Sequence, residues 1–194
     1  MNATHDIGVI HGRFQVLHND HLAYILAGKS RCLRLVVGIT NPDPTAVLDT
    51  VADPDRSDPH ANPLTYYERY LMVCETLAGA GISRADFDVV PFPINLPELW
   101  SQYLPMHGVF FLTIYDGWGE EKLRMFRQAG LDTEVLWRRG PGEKGITGTD
   151  VRGRMARREP WRHLVPPEVA RLVDEHGIAA RIREMAGVAA DSVP

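Results

Sequence analysis

The sequence predicts a doubly wound α/β domain built on a mostly parallel, five-stranded sheet and closed by C-terminal helices. Three observations predict it. Short apolar runs rich in β-branched residues alternate with segments of helical apolar spacing, the pattern of βαβ units whose sheet is covered on both faces. The length of 194 residues suits one well-buried domain over residues 1–194 and is short for two. A donor-rich glycine turn, Gly12 to His21, follows the first strand, at the carboxyl edge where parallel sheets hold ligands.

The elements follow in order. Residues 6–10 form a short apolar run ending near Gly12, and residues 21–30 read as the first helix. Residues 32–40, CLRLVVGIT, make a buried second strand. Residues 64–77 carry Leu64, Tyr67, Leu71, Val73, Cys74 and Leu77 at helical spacing, and the helix stops at Gly79-Ala80-Gly81. Residues 87–92 and 109–114 are strands, the second too apolar to be half exposed. Residues 120–129 form a helix ended by Gly130, and 133–137 a fifth strand. Three short helices, 149–158, 166–176 and 178–186, close the chain, and 187–194 is a frayed tail. Residues 41–63, crowded with Pro and Asp, are longer than an ordinary connection; both a surface excursion and a functional lid fit such a stretch.

Composition narrows the function classes. Apolar residues at 44% and charged residues at 24% are ordinary for a globular protein. The net charge is −4 with the signs interspersed, so no basic face for nucleic acid is expected. Cys32 and Cys74 lack metal-ligand spacing and read as buried apolar residues. The first residues lack a basic leader, and no apolar run approaches ~18 residues. The expected address is a reducing cytoplasm, without a membrane partner.

Two distant segments carry the chemistry. In the first, Gly12 allows a tight turn and Arg13 offers a planar donor fork for phosphate oxygens. His18 and His21 stand three apart at a helix start and face one way. In the second, Thr147, Gly148, Thr149 and Arg152 open a late helix, with Arg138, Arg139 and Lys144 just upstream. Donors gathered at two helix N-termini suit a polyphosphate. The plainer alternatives are a threonine cap and a solvated arginine, and for Thr147 or Thr149 alone the cap is the commoner role.

The first segment resembles the GRFQPxHxGH stretch of the HxGH nucleotidyltransferase superfamily, and residues 146–152 resemble its ISxTxxR-like motif. Residues 62–69, NPLTYYER, look like the NPFTxxER segment of archaeal-type nicotinamide-nucleotide adenylyltransferases. The similarity runs in order from about Ile7 to about Met185. It implies a Rossmann-like fold and transfer of a nucleotidyl group from a nucleoside triphosphate to a phosphorylated small molecule, with Mg²⁺ as cofactor and pyrophosphate as product. By the same resemblance His18, His21, Arg13 and Arg152 are catalytic. Gly12, Phe14, Lys144, Thr147, Gly148 and Thr149 bind nucleotide. Thr113, Tyr115, Asp116, Trp118 and Arg69 bind the acceptor. Adenylyl transfer from ATP to nicotinamide or nicotinate mononucleotide is the first expectation. Cytidylyl transfer from CTP to a phosphonate or phosphate ester is the second, and a nucleotide sensor without turnover the third. Homo-oligomerisation stays open.

The sequence departs from the family pattern where it matters. Val16 replaces the motif proline, and Asp20 stands where the family has glycine, beside the anion site. Either the Asp20 carboxylate caps the helix and points away, which is the expectation carried forward, or it helps hold Mg²⁺, or the site has changed. The stretch after the fourth strand, TIYDGWGEEK, is also altered. It, together with HNDH, looks like phosphonate cytidylyltransferase modules.

Overall fold

The computed structural model describes residues 3–43, 58–143 and 145–187. Five strands, β1 (His5–Gly12), β2 (Cys32–Thr40), β3 (Phe87–Phe92), β4 (Val109–Ile114) and β5 (Thr133–Arg138), pair in the order β3-β2-β1-β4-β5. Every pairing is parallel. The helices are α1 (Asn19–Lys29), α2 (Tyr66–Gly79), α3 (Trp100–Tyr103), α4 (Gly117–Gln128), α5 (Gly148–Ala156), α6 (Pro167–Glu175) and α7 (Ile178–Met185). Most of residues 41–63 (44–57), Lys144 and the tail 188–194 lie outside the described residues.

Strand alternation sorts the core into two faces. Ile10, Leu35, Val37, Ile39 and Phe111 join one cluster with α1, α2 and the three C-terminal helices. Val9, Val36 and Phe110, their sequence neighbours, join the other with Trp100 of α3 and Phe126 of α4. Two buried faces explain why the central strands are apolar almost throughout. α6 packs on α2 and α7 on α5, which brings the late chain back beside the first half.

Helix starts differ from the expected ones, and side-chain caps are the reason. α1 begins at Asn19, two residues early, because His18 is its N-cap. α4 begins at Gly117, three residues early, because the Asp116 carboxylate accepts from Gly119 N–H at 3.0 Å. α2 begins two residues late, at Tyr66, because Thr65 and Glu68 form a reciprocal capping box. The Thr-x-x-Glu spacing is a sequence signal for that start.

β1 and β4 are neighbours whose onward connections run to opposite sides of the sheet, through β2 and through β5. Their carboxyl ends therefore flank a crevice, the usual ligand position in such sheets. A register shift between Leu112 and Thr113 lies at that end of β4. Bulges of this kind re-aim a side chain beside a site.

Candidate active site

A cleft of about 430 Å³ opens at the β1/β4 crevice. Arg13, His18, His21, Thr147, Gly148, Thr149 and Arg152 line one side, and Thr113, Tyr115, Asp116, Trp118 and Lys122 the other. The two segments that the sequence singles out, more than a hundred residues apart, thus face one space. Lys144 is outside the described residues.

The histidine pair is held by backbone. His21 N–H donates to His18 Nδ1 and His18 N–H donates to His21 Nδ1, each at 3.4 Å. The rings stack with centroids 3.6 Å apart at 24°. A ring whose Nδ1 accepts a bond carries its proton on Nε2 when neutral. Neutral is the form burial favours: desolvation lowers the His18 pKa to about 4, with Asp20 and Asp150 opposing more weakly. His21 is also held well below the usual range, by desolvation first and then by His18 and Arg13. The pair therefore offers two uncharged Nε2–H donors at the N-terminus of α1, where the helix dipole already favours anions. The Phe14 ring, fully buried, stands edge-on to His21 at 5.0 Å and backs it.

The guanidinium groups repel one another around an open space. Arg152 is pushed down to about 10 by burial and then by Arg13. Arg13 also lowers Arg69 and His21, after desolvation in each case. Cations held this close favour a bound polyanion. Arg152 shares a face with Thr149 as its spacing requires: one Nη donates to Thr149 Oγ1 at 3.3 Å, and the other donates to the Gln15 carbonyl. Thr147 is the α5 N-cap, accepting from Asp150 N–H at 3.1 Å and donating to the Asp150 carboxylate at 2.5 Å. Its hydroxyl is committed to the cap, so its side chain has the plainer of the two expected roles.

Three expectations change. Arg69 does not line the cleft. It is 2% exposed and donates to the carbonyls of Arg13, Thr40, Asn41 and Thr65. It is a buried fastener between the ends of β1 and β2 and the start of α2. Asp20 is not the α1 cap, since His18 is. Its Oδ2 accepts from Ile146 N–H at 2.8 Å. Gly12 does border the cleft, but its missing side chain serves a neighbour: a Cβ there would lie 2.9 Å from the Phe14 ring.

No family model matches the chain. Over 91% of its length the chain is 53% identical to a phosphonoformate cytidylyltransferase of Streptomyces viridochromogenes, covering 95% of that protein. The chain belongs to the nucleotidyltransferases. It is 28% identical over 92% of its length to a nicotinamide-nucleotide adenylyltransferase of Thermococcus onnurineus, and 30% identical over 91% to that of Methanoculleus marisnigri. Among solved structures, a bifunctional NMN adenylyltransferase/ADP ribose pyrophosphatase of Francisella tularensis, complexed with AMP and manganese, superposes with a TM-score of 0.66 at 15% identity. The match covers 94% of this chain and about half, 53%, of that one. The fold is shared, and so is membership of the HxGH superfamily.

The nucleotidyltransferase also uses residues that its sequence did not single out for a role. Gln15 exchanges two bonds with the Leu64 backbone, its Nε2 donating at 3.0 Å and its Oε1 accepting at 2.9 Å. Asn19 Nδ2 donates to the His163 carbonyl at 3.0 Å. His11, 6% exposed at the end of β1, lines the cleft between the edges of Phe92 and Phe126. Lys122 lies 5.9 Å from the Trp118 ring, and Trp137 Nε1 donates to Tyr115 Oη at 2.6 Å. Local spacing carries no signal for the long-range partners of Gln15 and Asn19. Among the described residues no helix is long and apolar enough to cross a membrane.

Proposed function

We propose that this nucleotidyltransferase transfers the cytidylyl group of CTP to a small phosphonate. The observation that carries this reading is the 53% identity, over nearly the whole chain, to a cytidylyltransferase whose acceptor is phosphonoformate. The adenylyltransferase relatives above stand at 28% and 30%. Relatedness therefore reverses the order of preference that the motifs alone suggest. An oxygen of the acceptor attacks the α-phosphorus in line, the bond to the bridging oxygen breaks, and pyrophosphate leaves. Catalysis of this kind rests on positioning and on charge neutralisation.

Each residue has a part in that reading. The His18 and His21 Nε2–H groups donate to the triphosphate and to charge growing on the bridging oxygen. Arg13 and Arg152 neutralise the outer phosphates, joined by the first-turn amides of α5 at Gly148 and Thr149. The backbone at Gly12 and Phe14 borders the nucleoside. The acceptor lies toward Thr113, Tyr115 and Trp118. Lys122, on the same side of the cleft, faces an acid. Among the described residues no group of three or more His, Cys, Asp or Glu side chains is arranged to hold a metal ion. The donor set fits a Mg²⁺ ion that enters with the triphosphate and is held mainly by phosphate oxygens. Bound there, the ion neutralises phosphate charge.

Pyrophosphate release across CTP, ATP, GTP and UTP is the test. The acceptors are phosphonoformate, 2-hydroxyethylphosphonate, NMN and nicotinate mononucleotide. Turnover of CTP with a phosphonate is expected. Turnover confined to ATP with a pyridine mononucleotide would overturn the reading in favour of the adenylyl one.

A further inference from the structure

The acid at the family's glycine position calls for a role of its own. A carboxylate in the first turn of α1, beside two phosphate-facing histidines, repels the anion the site is built for, unless something holds it elsewhere. The structure shows what does. Asp20 Oδ2 accepts from the backbone N–H of Ile146 at 2.8 Å, across 126 residues of chain. This is a charge-assisted bond to the segment that leads into α5. The adjoining residue is matched to it: a Cβ at Gly145 would lie 2.1 Å from the same oxygen. One residue earlier, Asn19 donates to the His163 carbonyl at 3.0 Å. Of the four residues His18-Asn19-Asp20-His21, the histidines bind each other's backbone and the middle pair reach the late chain.

We propose that Asp20 is a positioning residue: its carboxylate latches Gly145 and Ile146 to α1 and so presets the α5 N-terminus and Arg152 against the histidine pair. The second half of the phosphate site hangs on the chain that leaves β5. Without a tie, that chain must be ordered when nucleotide binds, which weakens binding. With the latch the ordering is already done, and the positive end of α1 offsets the buried part of the acid's charge. The alternatives fit less well. His18 already caps α1, and an oxygen bonded to an amide and pressed against Gly145 has less freedom to meet a metal ion.

The inference rests on nucleotidyl transfer and not on the choice of base, so it is measured on whichever of CTP and ATP the parent enzyme turns over. A parent that uses ATP alone would overturn the cytidylyl reading and leave this comparison intact. Three variants, Asp20→Gly, Asp20→Asn and Gly145→Ala, are compared by calorimetric titration with the Mg²⁺ nucleotide and by pyrophosphate release. Asp20→Gly is expected to weaken binding and raise KM by about tenfold or more, the size of one charge-assisted hydrogen bond. Saturating nucleotide pulls the segment into place, so kcat should change far less. Asp20→Asn keeps an acceptor oxygen and should recover most of the loss. Gly145→Ala should displace the carboxylate and resemble Asp20→Gly. Combined with Asp20→Gly, it should add nothing, because the group it strikes is gone. If Asp20→Asn is as impaired as Asp20→Gly, with a raised Mg²⁺ requirement, the acid is a metal ligand and the proposal falls. It falls equally if Asp20→Gly binds nucleotide as the parent does.

Discussion

Replacing Gly148 by alanine should separate the two halves of the active site while leaving the fold intact. Gly148 is the first residue of α5, pressed against the loop after β1. A Cβ built there would sit 2.4 Å from the Gln15 carbonyl oxygen and 3.1 Å from Arg152 Nη1. Carbon and oxygen come into comfortable contact at about 3.3–3.6 Å, so one backbone must retreat from the other by roughly 1 Å. The Arg152 guanidinium, which donates to that same carbonyl, moves with it. A misplacement of about 1 Å costs on the order of 10²-fold in rate, or about 2.7 kcal/mol of transition-state stabilisation. Helix propensity acts in the opposite direction, alanine being better than glycine by about 1 kcal/mol inside a helix. The thermal midpoint should therefore hold while kcat/KM collapses. Gly153→Ala is the control, since it makes the same change in the same helix. Its Cβ would meet nothing closer than the end of the Arg157 side chain, at 3.1 Å. Pyrophosphate release and thermal melts on both variants decide the matter. Activity within about threefold of the parent in a folded Gly148→Ala protein would refute the claim that this contact sets the site.

His18→Ala and His21→Ala should each lower turnover by about 10²-fold or more, the loss expected from one preorganised donor. His18→Asn restores a good N-cap but no Nε2–H, so it should recover stability without recovering turnover; near-parental pyrophosphate release from it would remove the histidine from catalysis. Folding should also weaken as pH falls from 6.5, the unperturbed imidazole value, toward the His18 value of about 4. In that window the unfolded chain binds a proton that the folded imidazole refuses. The stabilisation is complete above the window, and thermal melts of His18→Asn should show a shallower slope across it. Arg152→Lys should weaken triphosphate binding by about 1–3 kcal/mol and leave nucleoside monophosphate binding nearly unchanged, because one ammonium cannot replace two donors in a plane. Equal losses for both nucleotides in a calorimetric titration would point to misfolding instead.

The sequence by itself determined the layers and the chemistry. Period-two apolar runs and helical spacing are local properties, so all five strands and six of the seven helices are legible, β2, β3 and β4 at their observed bounds. The short α3 is missed, because four residues are too few to show a period. His18, His21, Arg13 and Arg152 stand out because donor types at fixed spacing near a helix start carry a physical meaning of their own. Tertiary structure alone decided which groups remain available to a ligand. Arg69 looks like a site cation in sequence, yet folding turns its donors to carbonyls at the ends of β1 and β2. Asp20 looks like a cap or a metal ligand, and becomes a tie to Ile146 only once α5 docks beside α1. The reason is physical. A side chain's donors and acceptors are fixed by its identity, whereas its partners are fixed by what lies within about 3 Å of it, and for these residues those partners come from chain far away in sequence.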